Sequence, residues 1–101
     1  MDNDDFGGFA PPPFKPDEAL AKLRRELREL GLTEREGRFE RKGVAIARAA
    51  VDGTTVDAAI VRRPSRNSPE WQRKALKSSA DVRDFVALLK RQLAGWGDRD
   101  E

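Results

Sequence analysis

The chain has 101 residues, 38% hydrophobic and 38% charged, and its 20 Lys and Arg against 18 Asp and Glu leave a net charge of +2. That length suits one domain with a thin core, and so small a net charge does not by itself mark a nucleic-acid binder. The chain contains no cysteine, histidine or tyrosine, which excludes disulfides, thiolate and imidazole metal ligands and the usual general base at neutral pH.

No apolar run approaches the ~20 residues needed to cross a bilayer. The start, Met1-Asp2-Asn3-Asp4-Asp5, is acidic where a secretory leader is basic. A soluble, intracellular and cytoplasmic protein is the expectation. Residues 1–16 read as a disordered tail, because Gly7-Gly8, Pro11-Pro12-Pro13 and Pro16 oppose regular structure. Within it, Asp5-Phe6-Gly7-Gly8-Phe9 resembles the acidic phenylalanine-glycine peptides that dock on clathrin-adaptor ear domains. The plainer reading of those five residues is a solubilising segment.

From Asp17 to Leu30, leucines 20, 23, 27 and 30 recur at helical spacing between charged residues, which predicts an amphipathic helix. Pro16 and Asp17-Glu18 suit its start, and Gly31 followed by Leu32 suits a left-handed C-terminal cap. Core is the expected use of the leucine stripe, since a small domain has few other apolar residues to bury.

Strand formers dominate Gly37 to Arg63, and Asp52-Gly53 is a hairpin signal. Strands are expected at 37–42, 43–51 and 55–63. With a loop of two or four residues, the pairing places Ala45, Ala47, Ala49 and Val51 on one face with Val56, Ala58 and Ile60, an apolar surface for the core. The other face would hold Val44, Ile46, Ala59 and Val61 beside Arg48 and Asp57. The shorter loop sets those last two directly opposite each other as an ion pair. This mixed face is the expected recognition surface.

Residues 64–70 are a loop by composition, and 71–77 are a fourth strand or an irregular return. Val82, Phe85, Val86, Leu89, Leu93 and Trp96 then share one face of a final helix, capped by Ser78 or Ser79 and ended by Gly95 and Gly97. Residues 98–101 are expected to fray. The fold class is therefore α+β over residues 17–97: an N-terminal helix, an antiparallel meander of three or four strands, and a C-terminal amphipathic helix. The expected core is Leu20, Leu23, Leu27, Phe39, Ala47, Ile60, Val82, Phe85, Leu89 and Leu93.

The remaining carboxylates lie on polar helix faces, in a loop or at a turn, so no catalytic constellation, cofactor or metal site emerges and an enzyme is not expected. Binding is the expected activity. Arg62, Arg63, Arg66, Arg73, Lys74 and Lys77 oppose a single acid, Glu70, for a local charge of +5 around Trp71. Together with Arg48, these residues form a candidate surface for single-stranded DNA or RNA, with cations on phosphates and an indole stacked on a base. In element order alone, a strand meander ending in a long amphipathic helix resembles the Whirly-like single-strand-binding proteins. The alternative is a homodimer or protein-interaction module in which Val44, Ile46, Ala59 and Val61 form the interface. The basic run has a structural explanation too, because lysines and arginines guard sheet edges against aggregation.

Overall fold

Pro16, with its φ already set for a helix, stands at the start of α1 (Pro16–Glu29), and Asp17 and Glu18 follow in the first turn, where the dipole favours acids. In this computed structural model the described residues are 14–99. The rest of the expected tail, with the Asp5-to-Phe9 segment, lies outside them, as do residues 100 and 101. Phe14 and Pro16, expected in the disordered tail, are instead part of the fold: Phe14 packs against the core and Pro16 opens α1. At the far end of α1, Gly31 adopts φ +93° and its N–H donates to the Arg28 carbonyl, while the Leu32 N–H donates to that of Leu27. This paired arrangement satisfies carbonyls that the helix end leaves open and brings buried Leu32 back beside Leu27.

Five strands follow: β1 (Thr33–Arg35), β2 (Arg38–Arg41), β3 (Val44–Asp52), β4 (Thr55–Val61) and β5 (Trp71–Leu76), and then α2 (Ser79–Arg99), which runs through Gly95 and Gly97, its expected end, to the last described residue. They form one antiparallel sheet in sequence order. The α+β class is as the pattern predicts, with one strand more. β1 escapes sequence reading because Thr33-Glu34-Arg35 has no apolar alternation. Its existence rests on the turn after it, where Glu36 (φ 53°) and Gly37 (φ 80°) both take positive φ. Lys42 (φ 55°) and Gly43 (φ 80°) repeat the pattern between β2 and β3. Two-residue turns with two positive φ angles match the right-handed twist of paired strands, and glycine is the residue that enters this region without a Cβ clash.

Between β3 and β4 the pairing is Val51 with Val56 and Asp52 with Thr55, the register of the longer of the two loops considered, so Gly53 and Thr54 form the turn. Arg48 therefore faces Ala59, and Asp57 faces Ala50. The expected Arg48–Asp57 pair is not made.

A second departure comes from a bulge. Phe39 pairs with Ala47 but the next residue, Glu40, pairs with Ala45, which leaves Ile46 as an extra residue in β3. An inserted residue reverses the alternation of everything beyond it. Ile46 joins Ala47 in the core, at 1% exposure, and Val44, opposite Arg41, falls on the helix side. Arg41 itself donates from Nη1 to the Leu93 carbonyl of α2 at 3.4 Å. Ala45 moves the other way, onto the face opposite the helices.

Both helices lie on one side of the sheet. Leu23 and Leu27 of α1 share a single buried cluster with Val82, Phe85, Val86 and Leu89 of α2 and with Phe39, Ile46, Ala47, Val56, Ala58, Ile60 and Leu76 of the sheet, and the helices touch each other. Leu20 and Leu93, also expected in the core, pack against its margin. Burying a large apolar side chain stabilises by roughly 1.5–3 kcal/mol, so this cluster is the main source of stability. No polar or charged residue is buried among those described. Glu34 adds a surface clasp, receiving Arg24 at 3.0 Å and Arg28 at 3.4 Å from α1. Ser78 caps α2 through Oγ, which accepts from the Asp81 N–H, while Asp81 accepts from the Lys77 N–H.

Candidate functional site

With both helices on one side, the opposite face of the sheet has no secondary-structure element over it. Strand alternation assigns its side chains, and cross-strand pairing then aligns them in rows. One row runs through every strand: Arg35 on β1 pairs with Arg38 on β2, Arg38 with Arg48 on β3, Arg48 with Ala59 on β4, and Ala59 with Arg73 on β5. Four of its five positions are arginine. In the neighbouring row, Val61 pairs with Trp71.

Arg48 and Trp71 meet across β4. The guanidinium carbon of Arg48 lies 5.1 Å from the centroid of the indole ring, within the range of a cation–π contact. Beneath them, Ala59 and Val61 are only 1% and 2% exposed although no helix covers this face. A planar cation and a planar ring, each half-buried, thus roof over the small side chains of β4. Arg48 Nε is buried there, and no described residue offers it a hydrogen-bond acceptor.

The charges on this face are unevenly satisfied. Arg73 Nη2 lies 3.3 Å from Asp57 Oδ2. Arg35 and Arg38 are exposed, and no ion pair or side-chain hydrogen bond joins either to another described residue. Alternation puts two further acids on the face, Glu40 beyond Arg38 and Asp52 at the hairpin end. Sequence reading passed over Arg35 and Arg38 because it did not resolve β1. The one available signal was the Glu36-Gly37 dipeptide, which is weaker than Asn-Gly or Asp-Gly.

The other expected site residues scatter around this centre. Arg62, Arg63 and Arg66 are exposed on the loop of residues 62–70, next to the Trp71 end of the sheet. That loop is closed by the Arg62 N–H donating to the Glu70 carbonyl at 2.9 Å. Lys74 pairs with Ala58 and so belongs to the helix side, in a groove with Asp81 and Asp84 of α2. Lys77 follows β5 at its other end, with its side chain exposed. Of the expected apolar interface, Val44 and Ile46 are on the helix side, while Ala59 and Val61 are on the open face under the Arg48–Trp71 roof.

A second groove, between α1 and α2, has Ala19, Val82 and Val86 in its floor and Lys22, Glu26 and Lys90 at its rim, with no set of polar groups converging on one point. Among the described residues no group of three or more acidic side chains is placed to hold a metal ion, and no helix is long and apolar enough to cross a membrane. No family model, no curated protein and no solved structure matches this chain.

Proposed function

We propose that this protein is a non-enzymatic binding module that takes single-stranded nucleic acid on the open face of its sheet. The observation that carries the reading is the Arg48–Trp71 stack beside Arg73 on a face neither helix covers. An indole gives an unpaired base a surface to stack on, guanidinium groups give phosphates bidentate donors, and the combination is tolerant of base identity. The basic loop with Arg62, Arg63 and Arg66 lies at the margin of this surface and adds to its positive potential.

A fluorescence-anisotropy titration with labelled single-stranded oligonucleotides at low and moderate salt tests the reading. Affinity should fall steeply with salt, because each neutralised phosphate releases condensed counterions. Trp71→Ala should weaken binding by ~1–3 kcal/mol through lost stacking and leave the salt dependence nearly unchanged. Absence of binding at low salt overturns the proposal. Light scattering after size exclusion then tests the alternative, a homodimer or protein-partner module.

A further inference from the structure

We infer that the nucleic-acid strand crosses the β-strands along the row Arg35–Arg38–Arg48–Arg73, with one base at Trp71, rather than following β5 into the 62–70 loop. This rests on the single-strand reading above and assigns two binding residues, Arg35 and Arg38, that it does not need.

The argument begins with repulsion. Like charges directly opposite each other on neighbouring strands destabilise a sheet, yet this one holds Arg35 against Arg38 and Arg38 against Arg48 in consecutive pairs. No ion pair among the described residues offsets the repulsion between Arg35 and Arg38. Arg73 has Asp57 as its counterion, but neither Arg35 nor Arg38 has an acidic partner among the described residues. A polyanion laid across the row reverses the sign of the effect, since each phosphate then lies between cations already held by strand backbone. Trp71 is placed to join in, one row away from Arg73 on the same strand and on the same face.

The geometry also limits the ligand. Four inter-strand spacings of ~4.8 Å give the row a length of roughly 19 Å. A single strand stacked at ~3.4 Å per residue lays about six nucleotides over that distance, and a stretched strand fewer. The site is therefore short, and its direction is perpendicular to the β-strands.

Three proteins decide the path: the parent, Arg35→Ser with Arg38→Ser, and Arg62→Ser with Arg63→Ser and Arg66→Ser. For each, the affinity for oligo-dT of two to twelve nucleotides is measured over a salt series, alongside a thermal melt. The row variant should lose ~1.4 from the slope of log affinity against log salt, at ~0.7 per lost phosphate contact. It should melt no lower than the parent, because a repulsive pair has been removed. The loop variant, whose charges add only to the surrounding potential, should lose less of the slope than the row variant, and affinity should stop rising steeply beyond about six nucleotides. In a Trp96→Phe background, quenching of the Trp71 emission should track the binding curve. An unchanged slope in the row variant, or affinity still climbing steeply at twelve nucleotides, overturns the crosswise path even though the protein binds. Failure of the parent to bind any oligonucleotide overturns instead the function on which it rests.

Discussion

Arg48 Cζ stands 5.1 Å from the centroid of the Trp71 ring, on the far side of the strand that carries Ala59 and Val61. The pair shields those two residues from water without help from a helix, so the two side chains should be energetically coupled. A double-mutant cycle with Arg48→Ala and Trp71→Ala, read by urea denaturation, should give a coupling of about 0.5–1 kcal/mol, the range of a partly exposed cation–π contact. Additive effects within error would show that the two side chains cover β4 independently.

The bulge at Ile46 makes a prediction that ordinary strand alternation would not. Ile46 is 1% exposed within the main cluster, whereas Val51, later on the same strand, is 38% exposed. Ile46→Ala should cost ~2–5 kcal/mol and Val51→Ala less than ~1 kcal/mol. Similar small losses for both, measured by chemical denaturation, would return Ile46 to the open face.

Phe85 ties α2 to the sheet and to α1, at 2% exposure. Phe85→Ala should cost ~3–5 kcal/mol, a large part of the stability expected for a domain of this size. Differential scanning calorimetry should show a fall in Tm of many degrees. A Tm within a degree or two of the parent would mean that α2 presents a different face.

The helices, the strands from residue 38 to 61 and most of the core were legible in the sequence because they depend on local periodicity, whereas β5, whose alternation is poor, stayed open between a strand and an irregular return. Leucines three and four residues apart define the buried stripe of α1 wherever that helix docks. The same holds for Val82, Phe85, Val86 and Leu89. Gly31 after the last leucine, Ser78 before α2 and the Asp52-Gly53 dipeptide carry their structural meaning within a few residues, since caps and turns are satisfied by neighbouring backbone.

The candidate site was legible only in pieces, because strand alignment is decided beyond the local sequence. Trp71, Arg48 and Arg73 each stood out as single residues, but their meeting depends on the β3–β4 register, which the turn at Gly53 and Thr54 fixes. The exchange of Ala45 for Ile46 between faces depends on a bulge visible only when β2 is laid against β3. Arg35 and Arg38 become part of a row only once β1 exists, and β1 has no apolar pattern to announce it. Above all, the open face exists because both helices pack on the same side of the sheet. That choice belongs to tertiary structure, where Leu23 and Leu27 of one helix and Phe85 and Leu89 of the other enter a single buried cluster with the sheet.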